Sequence, residues 1–352
     1  MSNAASLKRH YRTLFRFRLA LRVLAAAAML GALSSGPVRA ADPPTIRVGW
    51  VVPVANLPSV LFEKPGVAHH LGQSYQYQPV RFASTVAMVT ALATGDLDIG
   101  TLGYSAFAIA VTNAGMKDLR VIADEFRDGV AGYYTDEYMV RKDDPIARIE
   151  DLKGKVVGSN SLGGAMDIAM RVMFRQHAID PKTDVTVVEA GLANMKAMLS
   201  ERKVVLAPAT LPFSYDPELR AIARPLFTQK EAVGTTDMII WAARAPFLAA
   251  NRAAMVDFME DAVRATHFYT DTANHQEAVE IAAKFTKQPV NNFDDWLFTK
   301  KDFYRDPNLL PDLAALQKSI DLQAELGFVK ASFEIKDYTD LAIVKEAAAR
   351  IK

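Results

Sequence analysis

Residues 85–105 read TVAMVTALATGDLDIGTLGYS. In 85–94 the apolar residues recur at helical spacing, with Ser84 or Thr85 placed to cap the start and Gly95 to end it. LDIGTL at 97–102 is a short run of strand formers. Gly103-Tyr104-Ser105 then opens a small-residue helix over 105–113. Upstream, TIRVGWVV at 45–52 is rich in β-formers and stops at Pro53. YQYQPVRF at 75–82 alternates as a second strand, and LRVIAD at 119–124 is a further one. Residues 57–72, interrupted by Pro58, Pro65 and Gly66, read as a short broken helix. Strands alternating with helices predict an α/β layer with a mostly parallel sheet.

The pattern restarts downstream. Strands are expected at 138–141, 155–159, 185–189 and 204–207, with helices at 165–177 and 194–202. A strand at 236–243 follows. Beyond it the spacing is helical over 246–268, 275–286, 292–298, 310–326 and 341–351. The expected fold is α/β: two lobes with mixed sheets and a helical C-terminal region. The lobes are 41–139 plus 241–352, and 140–240, with hinge strands near 138–141 and 237–241. In such folds ligands sit between the lobes, at the carboxyl ends of strands.

Composition narrows the classes. The 352 residues are 50% hydrophobic, too apolar for a disordered chain, and contain no cysteine. That excludes disulfides, thiolate metal sites, a cysteine nucleophile and a lipidated N-terminal cysteine. The net charge of +1 is a sum of unlike parts. Seven of the 41 basic residues, Lys8, Arg9, Arg12, Arg16, Arg18, Arg22 and Arg39, fall in 1–40, where there is no acid. The other 34 face 40 acids, a net of −6. Basic residues up to Arg22, an eleven-residue apolar run at 23–33 and the Val38-Arg39-Ala40 end match a secretory signal peptide cleaved near Ala40. The expected location is therefore periplasmic. An acidic body argues against a nucleic-acid partner.

Enzyme constellations are poor. Neither H-E-x-x-H nor G-x-S-x-G occurs, and no phosphate-loop spacing accompanies Gly163-Gly164. His69 and His70 are adjacent and point different ways, so they make no metal site by themselves. No catalytic residue, metal or cofactor is expected. The loops after the strands are more telling: 52–56, 82–85, 103–105 and 159–164. Most open a helix, where unpaired N–H groups and a partial positive charge favour an anionic group. Trp50 and Tyr104 stand beside strand ends. Phe126 reads as core packing. Arg127 and Arg141 could pair with a ligand carboxylate or sulfonate, or form surface ion pairs.

The segments ALATGDLDIG (91–100), Gly103-Tyr104-Ser105, DLKGKVVG (151–158), Leu162-Gly163-Gly164 and Pro212-Phe213 resemble the periplasmic substrate-binding proteins of the nitrate/sulfonate/taurine ABC-transporter group. The similarity runs over roughly residues 45–270. It implies a type-II binding fold that captures a small solute and delivers it to a permease in the inner membrane, acting as a monomer. The expected ligand contacts are Trp50, Val52, Pro53, Ser84, Thr85, Gly103, Tyr104, Ser105, Ser161, Leu162, Gly163, Gly164, Asp167, Thr210, Phe213 and Asp237. The same fold also serves exported sensors and enzymes, and binders of thiamine-pathway pyrimidine precursors, which is the alternative reading.

Overall fold

The computed structural model describes residues 42–351. The expected signal segment, 1–40, lies outside them. From Pro43 onward the chain is one compact unit. It begins with β1 (Thr45–Trp50) and β2 (Gln76–Arg81), then α1 (Thr85–Thr94), β3 (Ile99–Gly103), α2 (Tyr104–Thr112) and β4 (Leu119–Asp128). The residues that decided the sequence reading behave as expected. Ser84 caps α1 by accepting from the Ala87 N–H, and Gly95 ends it with φ 78°. The Ala-rich α2 is buried along nearly all its length.

Next come β5 (Glu137–Arg141), β6 (Val156–Ser159), α3 (Ala165–Gln176), β7 (Thr186–Glu189), α4 (Met195–Ser200) and β8 (Ala207–Ala209). They are followed by α5 (Pro217–Ile222), β9 (Ala223–Thr228), α6 (Gln229–Val233) and β10 (Thr236–Arg244). The chain ends in α7 (Ala245–Ala250), α8 (Arg252–Thr270), α9 (His275–Thr286), α10 (Leu313–Glu325) and α11 (Ala342–Arg350). Among the described residues no helix is long and apolar enough to cross a membrane.

The large sheet has the order β2-β1-β3-β10-β4. Its first three strands are parallel, and β10 enters antiparallel to both neighbours. The sheet is thus mixed rather than simply parallel. Strand β10 is buried along its length except at Arg244, because it lies at the sheet's interior. The outer edge of β4 is covered by the C-terminal chain, which is one way a sheet hides an unpaired edge. There Asp124 and Arg127 donate their N–H groups to the carbonyls of Leu309 and Tyr304. Residues 137–228 build two smaller sheets, β8-β5-β9 and β6-β7.

Several expectations are corrected. The strand expected at 204–207 is β8 at Ala207–Ala209. Arg202 turns the chain at φ 58°, and pairing with β5 starts only at Ala207. Strand β9, which carries Pro225, has no counterpart among the expected strands. It is an edge strand, where a proline costs no ladder bond. The helix expected over 292–298 is a single 3-10 turn, Val290–Asn292, followed by irregular turns. Asparagines and aspartates there compete with helical hydrogen bonding. The helix expected over 246–268 breaks at Asn251, whose amide bonds back to the Phe247 carbonyl. In 57–72 the only helical turn is 3-10, Leu57–Ser59.

The hinge strands also move. Residues 138–141 and 237–241 lie inside β5 and β10, one in each sheet system. The chain passes between the systems at 129–136 and 229–235. These crossings are tied together: the Gln229 N–H donates to the Asp136 carbonyl, and the Thr235 hydroxyl to the Gly129 carbonyl.

Candidate functional site

A cavity of about 490 Å³ opens where the strands of the two sheet systems end. The β1 end contributes Val51, Val52, Pro53 and Asn56. The β2 end contributes Arg81 and Phe82, leading to Ser84 and Thr85. Gly103 comes from β3 and Phe126 from β4. From the other side come Asp136, Asn160, Ser161, Gly164, Ala165 and Met166, then Leu192, Ala193, Thr210, Leu211 and Phe213. Met238 and Ile239 of β10 complete the wall. A cavity walled by aromatic and aliphatic side chains with a few polar groups suits an organic solute.

Three helices begin at this cavity. Helix α1 starts at Thr85 with its own serine cap. Helices α2 and α3 start after Gly103 and Gly164, neither of which offers a side-chain cap. Their first-turn N–H groups therefore lack an oxygen at the cap position, and each helix end carries roughly half a positive charge. Two buried hydroxyls brace the start of α3. Tyr104 donates to the Ala165 carbonyl at 3.3 Å, and Tyr138 to the Met166 carbonyl at 2.7 Å.

Asn56 ties the loop after β1 back to its start, while Ser59 and Arg305 hold Val54 and Ala55. The Asn56 Oδ1 accepts from the N–H groups of Val51 and Val52 at 3.0 and 2.8 Å. Its amide donates in turn to Glu125 at 3.2 Å, and the same carboxylate accepts from the Leu57 N–H (2.8 Å) and the Trp241 indole (3.0 Å). Burial pushes Glu125 up to about 7, against the opposing pull of Arg305 and these donors.

Two ionisable side chains line the cavity. The Arg81 guanidinium stacks 5.6 Å from the Trp50 ring. Asp136 is only 1% exposed, and neither of its carboxyl oxygens has a hydrogen-bond partner. Burial, then the neighbouring Asp128, push Asp136 well above the usual carboxylate range. Thr210 is the one side chain favouring its ionised form, and it does not meet the oxygens with hydrogen-bond geometry. Asp128 is equally buried but better hydrogen-bonded, accepting from the Thr135 hydroxyl and the Asp136 N–H. Asp136 is therefore the member of the pair more readily protonated, which lessens the negative charge facing the cavity.

Of the contacts expected from sequence, Val52, Pro53, Ser84, Thr85, Gly103, Ser161, Gly164, Thr210 and Phe213 line the cavity. Trp50, Tyr104, Ser105, Leu162, Gly163, Asp167 and Asp237 do not. Trp50 packs against Phe285 and Arg81. Tyr104 and Ser105 are buried in the first turn of α2. Leu162 points outward and is half exposed. Asp167 accepts from the Gly163 N–H and pairs with Arg171, so it closes the loop onto its own helix. Asp237 accepts from the Asp312 N–H and lies beside Asp124 and Arg127. Phe126, expected in the core, is buried there, stacks on Phe303 and also borders the cavity. Arg127 and Arg141 are engaged by Asp124 and Asp237, and by Asp143.

Sequence reasoning missed Asp136, Arg81, Met166, Leu192 and Met238. Arg81 ends a strand and could have been found by that position. Asp136 follows a crossover whose path needs the fold. His70, in contrast, gains distant carboxylates, lying 3.4 Å from Glu260 and 4.0 Å from Asp257. Arg350 and Arg264 already pair with these acids, at 2.9 Å to Asp257 and 2.7 Å to Glu260.

Residues 39–283 match the model of the NMT1-like family. No curated protein sequence matches the chain at a significant level. Among solved structures, the periplasmic aliphatic sulphonate binding protein SsuA from Escherichia coli is 18% identical, with TM-score 0.66, over 84% of this chain and 97% of that one. The periplasmic nitrate-binding protein NrtA from Synechocystis PCC 6803 is 13% identical, with TM-score 0.69, over 88% of this chain and 89% of that one. The desulfurization enzyme DSZB is 14% identical, with TM-score 0.64, over 88% of this chain and all of that one. At these identities the likeness is one of fold.

Proposed function

The chain belongs to the NMT1-like family, and on that footing we propose that it is the extracytoplasmic solute-binding component of an ABC importer. Its cargo is a small anionic organic solute of the sulfonate or carboxylate class. The protein is exported to the periplasm, holds the solute between its two lobes and hands it to an inner-membrane permease. The observation that carries this reading is the meeting of three helix starts at one apolar-walled cavity, two of them uncapped by side chains. Unpaired N–H groups at helix starts attract an oxyanion, and Arg81 adds a cation that can pair with it. Asp136, whose pKa burial raises, can in its protonated form donate to an acceptor on the ligand instead of repelling it. A cavity of about 490 Å³ favours an organic body over an ion as small as nitrate.

Binding proteins for sulphonate and nitrate among the similar structures favour a carrier over an enzyme. The DSZB likeness is the argument for catalysis, but this chain has no cysteine and the cavity wall holds no histidine.

The test is thermal melting of the purified protein with 1-butanesulfonate, butyrate and butylammonium, at pH 6 and pH 9. The expected result is stabilisation by the anions and none by butylammonium. The stabilisation by anions is smaller at pH 9. The sign follows from the Asp128–Asp136 pair: burial raises both carboxyls, Asp128 up to about 7, so the pair is less ionised at pH 6 and gains negative charge beside the anion as pH rises to 9. In Asp136→Asn the pH difference shrinks. Stabilisation by butylammonium alone would defeat the reading.

A further inference from the structure

The main cavity has neighbouring spaces across its wall. A second chamber of about 250 Å³ lies beyond it, lined on its apolar side by Met139, Met195, Ala207 and Leu219. The two spaces share three residues: Leu192, Ala193 and Phe213. Leu192 and Ala193 sit together on one 3-10 turn, Leu192–Asn194. Phe213 has the largest side chain of the three. It also borders a third space, an outer groove of about 1020 Å³ lined by Lys196, Tyr215, Trp296 and Lys301 among others. One half-buried ring thus stands where three spaces meet.

We propose that Phe213 is the partition that sets the length of solute the protein accepts. The acidic head sits at the helix starts, and the apolar tail runs toward Phe213. The inference rests on the proposed reading for the head group, but its own content concerns the tail. The second chamber offers a tail the apolar side chains of Met139, Met195, Ala207 and Leu219 beside the polar Lys196, Asp216 and Gln288, and Lys196 is paired with Asp216 and Glu218 at 2.7 and 2.6 Å. An alkyl chain admitted past the ring would gain contact with Met139, Met195 and Leu219. The ring belongs to the short Phe213–Tyr215 turn, whose Ser214 N–H is held by the Thr210 carbonyl, so trimming the side chain leaves the backbone fastened.

The experiment is calorimetric titration of two homologous series, n-alkanesulfonates and n-alkylammonium ions from four to twelve carbons (on the order of the span from one chamber to both). The proteins are wild type, Phe213→Ala and Phe213→Trp. In the wild type, affinity is expected to rise with chain length and then level off. In Phe213→Ala the rise continues to longer chains, by roughly fourfold per added methylene, equivalent to about 0.8 kcal/mol each. In Phe213→Trp it levels off sooner. Unchanged melting temperatures of the unliganded variants show that folding is intact. The same levelling point in all three proteins would overturn the partition, whichever head group binds. Preference for ammonium heads with the levelling points still displaced would overturn the anionic reading and leave the partition standing. Failure of both series to bind would overturn both.

Discussion

Glu125→Ala is expected to lower the unfolding free energy by about 3–5 kcal/mol, the loss typical of leaving buried partners without their acceptor. The carboxylate is 1% exposed and accepts from the Trp241 indole, the Leu57 N–H and the Asn56 amide. Removing it strands three donors and leaves Arg305, itself buried, with less negative charge nearby. The effect reaches the cavity through Asn56, which alone fixes the N–H groups of Val51 and Val52. Urea denaturation of the variant should show the lost stability, and titration with 1-butanesulfonate a weakened affinity. Glu125→Gln retains a carbonyl acceptor and should recover part of both. A loss below about 1 kcal/mol, the range of an ordinary surface change, would mean that Glu125 does not organise this loop.

Gly129→Val is expected to cost about 3 kcal/mol or more, combining left-handed strain with overpacking against fixed atoms. Gly129 has φ 78°, and a Cβ there would lie 2.8 Å from the Gly234 carbonyl oxygen and 3.2 Å from the Thr235 Cα. These are backbone atoms of the other crossing, so neither can swing aside. The two crossings would have to part, losing the bond from the Thr235 hydroxyl to the Gly129 carbonyl. Gly66→Ala separates the causes: it has the same φ but nothing within 4 Å. That variant should lose only about 1 kcal/mol. Equal losses in the two variants, measured by thermal melting, would show that the crossings are not packed against each other.

The strand–helix alternation of 45–124 was legible because local signals and burial agree there. Ser84 and Gly95 mark the ends of α1 in the sequence and perform those roles in the structure. Where tertiary contacts decide, reading failed. Strand β10 is antiparallel inside an otherwise parallel run, which no local pattern records. Strand β9 carries a proline tolerated only because it is an edge.

The cavity shows the same division. The hydroxyls and glycines at helix starts, Ser84, Thr85, Gly103, Ser161 and Gly164, were visible as caps and lie where strand ends meet. Tyr104 and Trp50 were chosen for aromatic character beside those ends, but their rings turn into the protein to hold α3 and Phe285. Asp136 could not be read from its neighbours. Its placement depends on a crossover of eight residues, 129–136, and its raised pKa first on burial and then on Asp128, the last residue of β4.

The most direct test is a crystal structure of the protein with 1-butanesulfonate bound. The expected result places the sulfonate oxygens at the N–H groups that open α1, α2 and α3, within reach of Arg81, with the alkyl chain between Phe126 and Phe213. A sulfonate bound outside this cavity, or an ordered cation against Asp136 in its place, would contradict the proposal that these helix starts form an anion site.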